Sequence, residues 1–272
     1  MSVPLVPRAL SPRWLRFAWE LARRDLRTRY AGSAVGFAWN ILLPVSTILV
    51  YLFLFTQVFE RRFDASQSPG QYAVFLCAGL LPWIAFVDLV QRAPASFTAQ
   101  SGVMKRLPVP KLTIVFSAAL SSALTLTISL IALSAALAVG FADGDWRRPL
   151  LAIALVPFQF ALTAGLGMTL SMLGVFVRDT SAVLPLITQV AFWLTPILYP
   201  VAAVPEKARA VLAIAWNFQP FYGLLRCFQT VIADGRLPAV PDAAHATAWL
   251  VLSCGFGALV FKAHHASLAD LL

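Results

Sequence analysis

Polar and aromatic side chains recur at helical spacing within two long apolar stretches of the chain. The first set is Asn40, Pro44, Thr47, Tyr51 and Phe55, and the second is Ser181, Pro185, Thr188, Phe192, Thr195 and Tyr199. Successive members lie three or four residues apart, which places each set on one face of a helix. Hydroxyl and amide groups can hydrogen-bond a sugar, and aromatic rings offer it a flat apolar platform. Packing between helices in a bilayer is the alternative explanation, because serine and threonine also collect there.

The sequence contains no motif for ATP binding or hydrolytic chemistry. No glycine precedes a lysine, so the phosphate-cradling loop G-x-x-x-x-G-K-[ST] is missing. We therefore expect no cofactor in this chain, and any ATP and Mg²⁺ must be bound by a partner subunit. No Gly-x-Ser-x-Gly elbow or His-Glu-x-x-His pair is present either. Asp88 lies four residues before Arg92 at the end of an apolar stretch, and we expect it to be solvated or paired with Arg92 rather than to carry protons.

Charge and cysteine usage exclude further classes of protein. The formal net charge of +9 would suggest a nucleic-acid partner in a soluble chain. No stretch interleaves basic and aromatic residues along a polar surface, so we expect no nucleic acid. Cys77, Cys227 and Cys254 lie in apolar stretches without paired spacing, which disfavours a disulfide framework or a metal site.

The composition is that of an integral membrane protein. Sixty per cent of the residues are hydrophobic and 12% are charged, with a mean hydropathy of +0.78. Residues 30–59 carry no charge, and as a helix they would reach ~45 Å, more than the ~30 Å of hydrocarbon in a bilayer. We predict an all-α polytopic membrane protein that forms a single domain over residues 1–272. Its six spans would lie at 30–59, 71–90, 112–142, 149–177, 180–199 and 243–261.

An amphipathic interfacial helix is predicted ahead of the first span, over residues 12–30. Its basic side chains recur at spacings of three and four, with apolar residues on other faces. The residues singled out on this helix are Trp14, Arg23, Arg24, Arg27 and Arg29. The helix is either a lipid-anchored topogenic signal or a moving part, and the two roles are compatible.

Two other segments are too polar or too broken to cross a membrane. Residues 91–111 are bounded by prolines and predict one short helix that presents Phe97, Met104 and Leu107. Residues 201–235 are interrupted by prolines and by Arg226, which favours a pair of short re-entrant helices.

The distribution of basic residues predicts the orientation. Six crossings put both termini on one side, and thirteen of the 21 lysine and arginine residues fall on that side. Because short loops rich in lysine and arginine stay cytoplasmic, we predict that both termini are cytoplasmic.

A set of short motifs resembles a known family. These are Arg29-Tyr30, Ser33, Gly36, Trp39, Pro44, Gly79, Pro82-Trp83, Arg178-Asp179 and the run Thr195-Pro196-Ile197-Leu198-Tyr199-Pro200. Their order and spacing resemble the membrane subunit of type-2 ABC exporters of polysaccharide, from about Trp14 to Phe261. Where that family tends to show Asn-Pro before an aromatic residue, this chain has Gln219-Pro220-Phe221.

The resemblance implies a homodimer in the bacterial plasma membrane, bound to two copies of an ABC ATPase and exporting a lipid-linked O-antigen, capsule or teichoic-acid type polymer. Residues 12–30 would then be a cytoplasmic gate helix, and 95–108 a coupling helix that contacts the ATPase together with Arg178 and Asp179. Residues 201–235 would cap the external exit. A permease for a small lipid or drug is the alternative, and a membrane enzyme without an ATPase partner is a more distant one.

Arg226 is the one charged residue between Ala210 and Ala233. An arginine at the centre of a bilayer costs ~2.5–3.5 kcal/mol, so this side chain must be paired, reach the interface or face water. We expect it at the external mouth, where its donors would hold the emerging glycan. Anchoring at the outer headgroups is the equally weighted alternative.

Overall fold

The computed structural model describes residues 12–29, 33–54, 69–100, 102 and 111–264, and every regular element within these ranges is helical. The α-helices are α1 (Pro12–Thr28), α2 (Trp39–Phe53), α3 (Pro69–Arg92), α4 (Ser96–Ala99), α5 (Leu112–Ala138), α6 (Arg147–Ala152), α7 (Val156–Phe176), α8 (Thr180–Leu194), α9 (Glu206–Phe218), α10 (Tyr222–Gln229) and α11 (Val240–His264). The prediction of an all-α fold is confirmed for this part of the chain.

Four of the described helical segments are long and apolar enough to cross a membrane. They are Gly70–Ala99, Leu112–Ala138, Arg147–Phe176 and Val240–His264, the first and third being α3 and α7 extended by short helical turns. Each overlaps one predicted span, but the first, which was predicted to end at residue 90, continues to Ala99. The chain is therefore a multi-pass membrane protein.

The first and fifth predicted spans contain shorter apolar helices. As α-helices of 15 residues, α2 and α8 each reach ~22 Å, less than the hydrocarbon thickness. Residues 30–32 and 55–59 of the first predicted span lie outside the described residues. The fifth span was predicted to run to residue 199, but α8 ends at Leu194. The reason is local: Thr195 is extended because it precedes Pro196, which disfavours helical backbone at that position.

Helix α3 is the central element of the bundle. The apolar window of its span is 78% buried, whereas that of α11 is 22% buried. The main hydrophobic core joins α3 to α5, α7 and α10 through side chains such as Trp83, Leu126, Leu162 and Phe228. Any cavity between helices therefore tends to have α3 as one wall.

Small residues bring α7 into close contact with two neighbours. A Cβ on Gly165 would lie 2.6 Å from the backbone nitrogen of Cys254 on α11. Likewise, a Cβ on Gly174 would lie 2.3 Å from the carbonyl oxygen of Pro94, in the turn that follows α3. Because helices in a bilayer associate through such close packing, these glycines determine how near the backbones approach.

The broken stretch after residue 200 forms a pair of short helices, α9 and α10. A π-helical turn, Thr230–Asp234, extends α10 and ends at Gly235, whose φ of 67° favours glycine. The predicted pair of short helices is therefore present. Its re-entrant course and its position at an external exit remain predictions.

Candidate functional site

The polar face of α2 lines a cavity of about 170 Å³ between α2, α3 and α5. Asn40, Pro44 and Thr47 contribute to its wall from α2. The amide of Asn40 is buried and donates a hydrogen bond of 3.0 Å to the carbonyl oxygen of Leu26, so this residue also fastens α2 to α1. Tyr51 packs partly buried against the main core. Phe55 lies outside the described residues.

The polar face of α8 lines a second cavity, of about 310 Å³, between α3 and α8. Thr188 and Phe192 contribute to it from α8, opposite Trp83 and Gln91 of α3. The amide of Gln91 donates to the hydroxyl of Thr188 at 3.0 Å, and the rings of Trp83 and Phe192 have centroids 6.2 Å apart. Polar and aromatic groups therefore alternate along this groove, as the sequence pattern predicted for one face.

The last two members of the second set lie beyond the helix and do not continue the groove. Thr195 is fully buried and donates to the side-chain oxygen of Gln219 at 2.7 Å. The hydroxyl of Tyr199 turns back and donates to the carbonyl of Leu194 at 2.9 Å. The prediction that Thr195 and Tyr199 share this helix face is therefore wrong, because α8 ends before them. Their contacts instead cap α8 and join it to the end of α9.

The two cavities lie on different faces of α3. Trp83, Val87 and Gln91 face the α8 groove, whereas Ile84 and Asp88 face the α2 cavity. Residues four apart share a helix face and consecutive residues are ~100° apart, so the two sets lie on different faces of α3. Within one protomer, α3 stands between the two polar faces.

A cluster of four charged side chains joins α1 to α3 beside the α2 cavity, which Arg29 and Asp88 also line. The guanidinium of Arg29 lies 3.1 Å from the carboxylate of Asp88, and that of Arg92 lies 3.0 Å from Asp25. Between residues four apart in the chain, Arg29 pairs with Asp25 at 3.2 Å and Arg92 with Asp88 at 2.6 Å. The pairing of Asp88 with Arg92 is therefore confirmed. The formal charges of the cluster sum to zero.

Helix α5 completes this cluster with two serine hydroxyls. Ser121 donates to Asp25 at 2.7 Å, and Ser122 donates to Asp88 at 2.6 Å. The four charged side chains are only 17–31% exposed, so each charge depends on these partners for the stabilisation that water would otherwise give. Neither Asp25 nor the two serines was singled out from the sequence, because no local pattern links residues so far apart in the chain.

Helix α1 is amphipathic, as predicted. Its apolar face buries Leu21, Ala22 and Leu26 against the bundle, while Arg23, Arg24 and Arg27 are exposed. Arg29 does not join the exposed basic face but points to the charge cluster. The side chain of Trp14 lies outside the described part of the structure. The gate role of this helix remains a prediction.

The segment after α3 departs from the prediction at Phe97. This ring is fully buried in a cluster with Ile114, Met168, Met172 and Phe261, so it is not available on the surface to seat an ATPase. Its role is to hold α4 against α5, α7 and α11. Met104 and Leu107 lie outside the described residues, and their contact with a partner remains a prediction.

Arg178 and Asp179 are exposed in the tight turn between α7 and α8. The turn is as short as the sequence indicated, since α7 ends at Phe176 and α8 begins at Thr180. Both side chains are thus accessible to a partner subunit.

Arg226 is held in place by Gln229, a residue that no sequence pattern indicated. Its guanidinium donates to the side-chain oxygen of Gln229 at 3.1 Å, and its Nε lies 3.9 Å from the carboxylate of Asp242. The amide of Gln229 donates in turn to the carbonyl of Pro196. A Cβ on Gly79 would lie 2.9 Å from this amide, so Gly79 makes room for Gln229.

The apolar spans and the amphipathic helix are those of a multi-pass membrane protein with cavities between its helices. The sequence profile of the ABC-2 type transporter family matches residues 17–228. The chain belongs to this family, which implies an ABC ATPase as its partner.

Several relatives share most of their length with this chain. It is 29% identical over 237 residues to the O-antigen export system permease protein RfbA of Myxococcus xanthus, covering 85% of this chain and 86% of the relative. A protein of the same name from Klebsiella pneumoniae is 27% identical over 221 residues, 80% of each chain. The polysialic acid transport protein KpsM of Escherichia coli is 24% identical over 197 residues, covering 71% of this chain and 73% of the relative.

Proposed function

We propose that this chain is the channel-forming subunit of an ATP-driven exporter that moves lipid-linked polysaccharide from the cytoplasm to the outer side of the bacterial plasma membrane. The observation that carries the proposal is the similarity, over 85% of the chain, to a permease named for O-antigen export. The polar and aromatic side chains in the cavities beside α2 and α8 support it, because sugars are bound by hydroxyl and amide groups next to aromatic faces.

The proposed assembly is a homodimer with two copies of the ABC ATPase, which bind ATP and Mg²⁺. Helices α2 and α8 each carry a row of exposed apolar side chains, among them Val50 and Phe53 on α2 and Leu186 and Trp193 on α8. A second copy that packs on these rows would bring a polar face of each protomer towards a shared path. The excess of basic residues on the side of the N terminus supports cytoplasmic termini.

Deletion of the gene tests the substrate class. We expect the surface polysaccharide to disappear and a lipid-linked glycan to accumulate in the cytoplasm, because synthesis continues when export stops. The lipid-linked glycan is measured in the extracted lipid fraction, and the surface polysaccharide is measured by glycan blotting of intact cells. Complementation with the wild-type chain is the control. Unchanged surface polysaccharide would favour the alternative of a small lipid or drug as the substrate.

Cysteine labelling tests which helix faces line the path. In a background without Cys77, Cys227 and Cys254, we expect cysteine at position 47 or 188 to react with a small polar thiol reagent in a trapped open state. Both positions line cavities between helices, whereas Leu49 is exposed on the outer side of α2. Cysteine at position 49 should therefore react much more slowly. Equal rates at positions 47 and 49 would contradict the assignment of the α2 face.

A further inference from the structure

A cavity of about 590 Å³ opens at the end of the bundle where α3 begins, away from the charge cluster. This volume falls within the ~300–1,000 Å³ typical of small-molecule sites. Its walls come from the start of α3, the loop between α5 and α6, the turn after α8, and α10 with its π-helical extension. Neither polar face of α2 or α8 contributes to it, so it is separate from the path proposed above.

Two aromatic rings form part of one wall. Tyr72 and Phe75 both line the cavity, with ring centroids 6.1 Å apart and planes inclined by 27°. The hydroxyl of Tyr72 donates to the carbonyl of Leu198, which fixes this ring at the mouth of the cavity. Flat aromatic faces beside a polar space provide a platform for the apolar C–H faces of a sugar ring.

The guanidinium of Arg226 lines the cavity and is held there by Gln229 and by the carboxylate of Asp242. Its side chain is only 24% exposed, yet just one of its five N–H groups donates a hydrogen bond to any residue that the structure describes. Apart from Nε, which faces Asp242, the remaining N–H groups of this partly exposed side chain can donate to a ligand in the cavity. The other arginine of the cavity, Arg148, is committed to the wall: it donates to Ala233 at 2.7 Å and lies against Gly235.

Acceptors lie in the same cavity as these donors. Asp143 and Asp145 contribute carboxylates from the loop between α5 and α6, and Asp234 contributes a third from the π-helical turn. Gly70 permits the approach of that loop to α3, since a Cβ there would lie 2.8 Å from the backbone nitrogen of Asp143. A sugar hydroxyl both donates and accepts hydrogen bonds, so a site with carboxylates, a guanidinium and aromatic rings matches its chemistry.

We propose that this cavity is a saccharide-binding site that holds a short stretch of the polysaccharide at the end of the bundle opposite the charge cluster. Arg226 and the carboxylates bind the hydroxyl groups, Phe75 supports the ring face, and Gln229 positions Arg226. The inference rests on the proposed function, because it takes the exported polymer as the source of the ligand.

Binding of short oligosaccharides to the purified complex tests this site. The probe is released by mild acid from the surface polysaccharide of the strain that carries this chain, and the complex with its ATPase is held in lipid nanodiscs without ATP. We expect saturable binding at millimolar concentration, detected by saturation-transfer NMR. Arg226→Gln should weaken it about tenfold, which corresponds to the loss of a hydrogen bond from a charged group. Phe75→Leu should weaken it while keeping the wall apolar.

Arg236→Gln is the matched control, because Arg236 is exposed nearby but does not line the cavity. It removes the same charge and should leave binding unchanged. Absence of binding to the wild-type complex, or equal affinities for wild type and Arg226→Gln, would overturn the site. The deletion experiment separates the two proposals: surface polysaccharide lost on deletion, together with equal affinities here, removes this site and leaves the exporter.

Discussion

Replacement of Asp88 by alanine is expected to lower the free energy of unfolding by about 3–5 kcal/mol, the cost of leaving a largely buried charge without its partner. Asp88 accepts contacts from Arg29, Arg92 and Ser122, and its removal leaves two guanidinium groups facing the single carboxylate of Asp25. The measurement is reversible unfolding of the purified chain in mixed micelles. The same variant should release α1 from α3, and polysaccharide export should fall with it.

Two further variants separate the charge cluster from a general effect of losing an acid. Glu20 is exposed on α1, so Glu20→Ala should change stability by no more than about 0.5 kcal/mol. Adding Arg29→Gln to Asp88→Ala restores neutrality, and the double variant should be more stable than the sum of the two single effects by about 0.5–3 kcal/mol. Strict additivity would show that the two residues act independently, in conflict with the 3.1 Å contact between them.

Gly174→Ala is expected to have the second large effect, on the coupling of ATP hydrolysis to polysaccharide export. The added methyl group would lie 2.3 Å from the carbonyl oxygen of Pro94, and backbone atoms cannot move aside as a flexible side chain would. This contact, with the 2.8 Å hydrogen bond between Ser96 and Ser171, fixes the turn that leads into α4. Overpacking typically costs ~1–3 kcal/mol, equivalent to a change of roughly 5- to 150-fold in an equilibrium. We expect polysaccharide export to fall about tenfold or more.

Gly255→Ala provides the comparison for this prediction. Gly255 also lies within a helix, but a Cβ there would meet no atom within 4 Å. Alanine is the better helix former by ~0.5–1 kcal/mol, so this variant should be as stable as wild type or slightly more stable. Export and ATP hydrolysis are measured together in proteoliposomes. If Gly174→Ala and Gly255→Ala export at the same rate, the turn after α3 does not transmit the action of the ATPase.

Part of the fold followed from patterns that are local in the chain. Long apolar runs predicted the four helices that are able to span a membrane, and the periodic arginines predicted the amphipathic α1. Hydrophobicity, helical period and residue size act over a few turns, so such patterns indicate structure before any long-range contact is known.

Phe97 and the second set of polar and aromatic residues, from Ser181 to Tyr199, show where prediction from local sequence patterns fails. The segment 91–111 is polar overall, which suggested a surface helix, but Phe97 faces inward because α5, α7 and α11 form an apolar pocket at that point. In the second set, the spacing of three and four residues continued to Tyr199, whereas Pro196 ended the helix earlier. A period indicates which residues share a face only as long as the helix lasts.

The sequence by itself determined the class of this protein, since composition and apolar run length decide whether a chain enters a bilayer. Tertiary structure alone decided the charge cluster, the separation of the two polar faces by α3 and the cavity beside Arg226. Residues of α1, α3 and α5 up to 96 positions apart meet in that cluster. Such contacts depend on how helices cross and rotate, which is set by packing of their whole surfaces and leaves no periodic signal in any one of them.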